Sequence, residues 1–200
     1  MPIRIGILIF EGAEELDFVG PWEVFTMARA LKADSCEVML VAERDAPVRC
    51  AKGMRVLPDT TTAACTALDV LLIPGGQGTR REVENKSLLS WIAATAATAK
   101  WATSVCTGAL LLTAAGPAKG KRVTTHWAYV ESLRERREAA EVLEGFRYVR
   151  DGNVITAAGV SAGIDMALWL TGELFDVPFA RRVQRQMEYD PLPPYGGLTQ

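Results

Sequence analysis

The sequence has one histidine, four cysteines with no C-x-x-C pair among them, no Gly/Ser linker and no internal repeat. Each shortage removes a class of protein. Cys36, Cys50, Cys65 and Cys106 lie 14, 15 and 41 positions apart, and a lone imidazole adds too little to complete a zinc site. No apolar run approaches the ~20 residues that cross a bilayer, because Gly, Pro, Lys or Thr interrupt the longest ones. The apolar stretch from Ile5 to Phe10 runs straight into Glu11, Glu14 and Glu15, leaving no room for a signal-peptide core and cleavage site. The expectation is a cytoplasmic protein that does not span a membrane. Excess charge is missing too: 22 basic against 24 acidic residues give a net charge of −2, too balanced for affinity built on neutralising phosphates. Nucleic acid is therefore not an expected partner. In a reducing compartment Cys36, Cys50 and Cys65 read as small buried apolar side chains.

What is present describes one globular domain over residues 1–200, with a Pro/Gly-rich tail from about 190 (PLPPYGG). Hydrophobic residues are 49% and charged residues 23%, and a chain of this length buries roughly 70% of its unfolded surface. Ile3 to Ile9, Cys36 to Ala42 and Asp69 to Ile73 are short, nearly continuous apolar runs, the pattern of parallel strands buried on both faces. Trp101 to Val105 is a further strand. Between them the spacing predicts helices: one beginning at Asp17 and reaching Leu31 with Pro21 in its first turn, then Ser87 to Ala99, and Thr107 to Ala115 stopped by Gly116 and Pro117. Helices are also expected over His126 to Arg137, Ala162 to Phe175 and Phe179 to Tyr189, the R-E-R-R run at 134–137 being a solvated face. Pro47 to Leu57 reads as a hairpin turning at Lys52 and Gly53. Tyr148 to Arg150 and Val154 to Ala157 read as another, turning at Asp151, Gly152 and Asn153. The alternation predicts an α/β fold: a flavodoxin-like sandwich with a mostly parallel central sheet, helices on both faces and an added β-hairpin.

In such a sheet ligands bind beyond the carboxyl ends of the strands. Three segments qualify. Thr103 to Gly108 takes an apolar strand into Cys106 and then a helix, the layout of a nucleophile elbow, with helix N–H groups favouring a thiolate of lowered pKa. The alternative is a buried structural thiol. Pro74 to Gly78 carries three glycines, which read either as an oxyanion-binding nest or as a flexible turn. Glu14 to Asp17 ends in a carboxyl that either caps the following helix or shares one proton with a nearby thiolate and acts as a general acid. His126 is either a helix-start residue packed beside Trp127 or a proton-transfer group.

Together G-A-E-E-L-D at 12–17, I-P-G-G at 73–76, S-V-C-T-G at 104–108 and T-T-H-W at 124–127 resemble the ThiJ/PfpI superfamily, and within it the isocyanide hydratase branch. The likeness covers nearly the whole chain, including A-G-V-S-A-G-I-D-M-A-L at 158–168, E-L-F-D at 173–176 and E-Y-D-P-L-P-P-Y at 188–195. It implies a homodimer, Cys106 as nucleophile, Asp17 as its acid partner, Thr107 as a catalytic or positioning neighbour, and backbone N–H donors from Gly76 and Thr107. The implied reaction hydrates an isocyanide to an N-substituted formamide through a covalent thioimidate, with no metal or redox cofactor. A small apolar substrate suggests a pocket from residues such as Trp22, His126, Trp127 and Val160.

Departures separate the branches. The protease-like branch has histidine directly after the cysteine, where this chain has Thr107. The amidotransferase relatives need glutamate two positions after a downstream histidine, but Ala128 stands there. The deglycase and oxidative-sensor branch carries glutamate in place of Asp17, and a cysteine-based oxidant sensor or a glyoxalase/deglycase-like protein is the alternative expectation. Regulators with a C-terminal helix-turn-helix need sequence beyond Gln200, so that reading is not expected.

Overall fold

A computed structural model of the chain describes residues 1–191. The elements, in order, are β1 (Ile3–Leu8), α1 (Glu15–Leu31), β2 (Cys36–Ala42), β3 (Val48–Arg49), β4 (Arg55–Val56), β5 (Thr60–Thr61) and β6 (Val70–Ile73). There follow α2 (Thr79–Glu82), α3 (Lys86–Thr98), β7 (Trp101–Val105), α4 (Gly108–Ala114), β8 (Arg122–Val123), a 3-10 turn (Trp127–Tyr129) and α5 (Val130–Glu135). The chain closes with β9 (Glu141–Val142), β10 (Tyr148–Asp151), β11 (Val154–Ala157), α6 (Ala162–Leu174) and α7 (Val177–Gln186). Among the described residues no helix is long and apolar enough to cross a membrane.

Seven strands form one sheet in the order β10-β11-β7-β6-β1-β2-β5, parallel throughout except for the β10–β11 hairpin at one edge. The apolar runs account for its centre: Ile5, Ile7, Leu8 and all of Val70 to Ile73 are fully buried, because helices cover both faces. Helices α1, α6 and α7 pack as one group and α3 with α4 as another. The flavodoxin-like sandwich expected from the sequence is the fold observed. The 47–57 hairpin is present as β3–β4, a separate two-stranded sheet.

Several boundaries differ. Helix α1 starts at Glu15, so Pro21 lies in the second turn and Asp17 loses the i+4 donor that a non-proline residue would offer its carbonyl. Helix α7 starts at Val177 because Asp176 caps it, accepting from Phe179 N–H at 2.6 Å. The helix expected from His126 is a 3-10 turn and then the short α5. Strands β5, β8 and β9 and helix α2 are additions. The expected tail lies, beyond Pro191, outside the described residues.

The topology locates a cleft. From β1 the chain moves to β2 on one side and later returns to β6 on the other, so the order reverses between β1 and β6. The carboxyl ends on either side of that reversal lead to Asp17 and to Gly75, and neighbouring β7 ends at Cys106.

Candidate active site

Strand β7 ends in a true elbow. Cys106 has φ 56°, a left-handed conformation that costs a non-glycine residue about 1–3 kcal/mol. Its surroundings hold it there: Cys106 N–H donates to Ala157 O at 3.0 Å, and its carbonyl accepts from Thr125 Oγ1 at 2.8 Å. A Cβ at Gly108 would lie 2.2 Å from Ile73 O. Bare backbone is thus required for α4 to begin against the end of β6.

Asp17 is fully buried in the first turn of α1, where Glu14 occupies the N-cap position. The capping alternative is therefore excluded; the side chain points inward instead. Oδ2 accepts from Gly75 N–H at 2.9 Å, while Oδ1 has no hydrogen-bond partner. The glycine loop separates this carboxyl from the elbow. A Cβ at Gly75 would lie 2.5 Å from Thr107 N and 2.9 Å from Asp17 Oδ2. Gly75 O accepts from Glu14 N–H at 2.9 Å, which locks the loop to the start of α1.

Burial dominates the electrostatics. It raises Asp17 to about 7, opposed by the Gly75 N–H and aided by the negative charge of Glu14; contact with the Cys106 thiol and the charge of Lys52 lower it slightly. Burial also raises Cys106 to about 12, with the charge of Asp17 as the second cause. The backbone N–H and hydroxyl of Thr107 and the backbone N–H of Val160 oppose this rise without overcoming it. The expected lowering of the thiol is thus reversed, because helix-end N–H groups reach a sulfur that is only 6% exposed.

The other expected residues divide. Thr107 and Val160 meet Cys106, and Val160 holds a positive φ of 30°. Gly76 is present, but its N–H is not free: it donates to Thr107 Oγ1 at 3.0 Å. His126 lies against Gly159, where an added Cβ would meet its Cδ2 at 2.7 Å, and its Nδ1 accepts from Ala128 N–H at 3.2 Å. That makes it a cap on the 3-10 turn. Trp127 is 76% exposed, and Trp22 is half-buried and packed against the core.

Sequence reasoning missed Thr79, Thr125 and Lys52. Thr79 Oγ1 donates to Gly76 O at 2.8 Å and lies 3.2 Å from Thr107 Oγ1. Lys52, at the tip of the β3–β4 hairpin, pairs with Glu14, while its backbone N–H donates to Glu15 Oε1 at 2.8 Å. Thr125 carried a signal only as part of T-T-H-W; Lys52 had none beyond its place in the turn. Among the described residues no cluster of three or more His, Cys, Asp or Glu is arranged to hold a metal ion.

The chain is similar to known proteins in sequence and in fold. The DJ-1/PfpI family pattern matches residues 3–172. The chain is 43% identical over 195 residues to the isonitrile hydratase of Pseudomonas putida, covering 98% of this chain and 82% of that protein. A ThiJ/PfpI family protein from Pseudomonas syringae superposes with a TM-score of 0.89 at 35% identity, over 98% of this chain and 78% of the other. DJ-1beta of Drosophila melanogaster shares the fold, with a TM-score of 0.83 at 22% identity over 96% of this chain and all of that one. With the pattern spanning most of its length and a relative this similar along nearly all of it, the chain belongs to the DJ-1/PfpI family.

Proposed function

We propose that the chain hydrates an isocyanide to an N-substituted formamide through a covalent adduct on Cys106. The observation that carries this reading is the buried Asp17–Cys106 pair, in a chain 43% identical to an isonitrile hydratase. Just above pH 7 the pair holds one proton, on sulfur, with Asp17 ionised. Moving that proton to Asp17 creates the thiolate and the acid together, without changing the charge of the site. The sulfur attacks the terminal isocyanide carbon, and the Asp17 carboxylic acid protonates the same carbon, giving a thioimidate. Water then adds across the C=N bond, its proton passing through Asp17 to nitrogen. The tetrahedral adduct expels sulfur, and the hydroxyl proton returns to the pair. Thr107 positions the elbow through Gly76, and the N–H groups of Thr107 and Val160 stabilise the departing thiolate.

The oxidant-sensor alternative needs an exposed thiolate, whereas Cys106 is only 6% exposed. The test is a panel of an isocyanide, methylglyoxal and a peptide, with Cys106→Ala as control. Formamide from the isocyanide by the wild type alone is the expected result. A wild-type rate no greater than that of Cys106→Ala overturns the reading. Because Asp17 must be ionised to accept the thiol proton, kcat/KM is expected to fall as pH drops below about 7.

A further inference from the structure

Arg80 has a free edge that the mechanism above does not use. Its guanidinium lies 4.2 Å over the Tyr129 ring. Its hydrogen bonds among the described residues, to Gly76 O at 2.8 Å and to Thr79 Oγ1 at 3.5 Å, both leave from Nη1. No carboxylate pairs with it there, and Nε and Nη2 have no partner. Those two nitrogens form one edge of the guanidinium plane, the edge that grips both oxygens of a carboxylate side-on.

The same side chain lines a cavity of about 220 Å³ between α2, α4 and α5. The lining sorts by depth: Thr79, Thr107, Thr125 and Leu133 are buried, whereas Arg80, Ser132 and Arg136 are exposed and form the mouth. The buried hydroxyls are engaged by the protein. Thr79 Oγ1 donates to Gly76 O and Thr125 Oγ1 to Cys106 O, each at 2.8 Å, and Thr107 Oγ1 accepts from Gly76 N–H at 3.0 Å. The interior therefore presents threonine methyls with Leu110 and Leu133. At the mouth, Arg136 is neutralised by Glu138, whose two oxygens accept from it at 3.0 and 2.8 Å. The Ser132 hydroxyl makes no hydrogen bond among the described residues, and no carboxylate lines the cavity. The uncompensated charge is that of Arg80.

An apolar interior beneath an unpaired cation fits a ligand with a hydrocarbon body and an anionic head. A neutral hydrocarbon would leave the guanidinium edge unmet, and a bare inorganic anion would leave the interior unfilled. We propose that this cavity binds a small organic carboxylate, its head on the Arg80 edge beside Ser132 and its body against Leu110 and Leu133. At roughly 30 Å³ for each water-sized group, about seven non-hydrogen atoms fill the space, enough for a six-membered ring with the carboxylate at the mouth. Neither Cys106 nor Asp17 lines the cavity, so the site is separate from the reacting pair and does not rest on the isocyanide reading.

The test titrates benzoate by calorimetry, at fixed ionic strength, into the wild type, Arg80→Met, Ser132→Phe and Cys106→Ala. Acetate keeps only the charge and benzyl alcohol only the ring. Arg80 and Ser132 are exposed, so both variants should keep the wild-type melting temperature, and phenylalanine at 132 fills the mouth from outside the core. The expected result is one benzoate per chain in the wild type, weakened about ten-fold or more in Arg80→Met and in Ser132→Phe and unchanged in Cys106→Ala. Acetate and benzyl alcohol should each bind about ten-fold or more weakly than benzoate. Absence of saturable benzoate binding to the wild type overturns the proposal. So does wild-type affinity in Arg80→Met; if Cys106→Ala then loses binding, benzoate sits at the elbow instead. Benzyl alcohol binding as tightly as benzoate overturns the assignment of a carboxylate.

Discussion

On one flank of Cys106 the hydroxyls of Thr79, Thr107 and Thr125 all have partners; on the other, Asp17 keeps one buried carboxyl oxygen without any. The two flanks meet at the same elbow and are equally dry, so burial alone does not separate them. The difference is what burial acts on. A hydroxyl bonded to a backbone carbonyl loses little on leaving water, whereas a carboxylate with an orphan oxygen loses several kcal/mol. The satisfied flank holds geometry, and the unsatisfied flank holds a proton that is ready to move. A site built only of the first kind would be stable and inert.

The most disruptive change is one that strikes both flanks at once. Gly75→Ala drives a methyl to within 2.5 Å of Thr107 N and 2.9 Å of Asp17 Oδ2. Turnover is expected to be lost and the protein destabilised by about 1–3 kcal/mol, read by thermal unfolding. Wild-type stability with retained turnover would show that the loop does not wedge the pair apart. Next comes Asp17→Asn, which leaves an acceptor for Gly75 N–H but no exchangeable proton. A loss of about 10²- to 10⁴-fold in rate is expected. Stability should move the opposite way. The Asp17 pKa is raised to about 7 in the fold from an ordinary value of ~3.9, so its contribution is full below about pH 4 and lost as pH rises through 7. Asp17→Asn is therefore expected to be more stable than wild type at pH 8, by at most about 4 kcal/mol, with the gain shrinking towards pH 4. Equal unfolding midpoints at both pH values would mean that the carboxylate is not held under strain.

What could be read in the sequence follows from the same contrast. β1, β2 and β6 were legible because double burial writes itself as nearly continuous apolar runs such as Val70 to Ile73. Strands of two residues such as Thr60–Thr61 leave no pattern, since a neighbour's free edge defines them. Cys106 and Asp17 were legible as chemical types in a motif, but the direction of the thiol pKa was not. A helix start is visible in T-G after a cysteine; the depth of the sulfur is a property of everything packed over it. Asp17 looked like a cap because capping residues and buried acids share one amino-acid type, and only the position of Glu14 tells them apart. Thr79 and Thr125 were missed since a hydroxyl that bonds distant backbone obeys no local spacing.

Smaller changes sharpen the comparison within each flank. Thr107→Val keeps the shape and removes the hydroxyl, leaving Gly76 N–H without its acceptor. A cost of about 1–3 kcal/mol and a moderate drop in kcat are expected, with Thr107→Ser restoring both. Failure of serine to restore them would assign the role to the methyl group instead.

The smallest effect tests how far the unsatisfied flank reaches. Lys52 is exposed on the β3–β4 hairpin and pairs with Glu14, and its positive charge lowers Asp17 slightly while Glu14 raises it. Removing the lysine in Lys52→Met takes away the favourable charge and also leaves Glu14 unneutralised, so both consequences push the Asp17 carboxyl upward. The acid limb of the kcat/KM profile is then expected to move to slightly higher pH, and Glu14→Gln to move it lower. Lys52 stands in solvent, so raising the salt concentration should shrink the Lys52→Met effect, whereas the larger contribution from burial does not respond to salt. If the limb stays in place in both variants at low salt, the Asp17 proton is governed by burial and the Gly75 N–H alone, and the hairpin plays no electrostatic part.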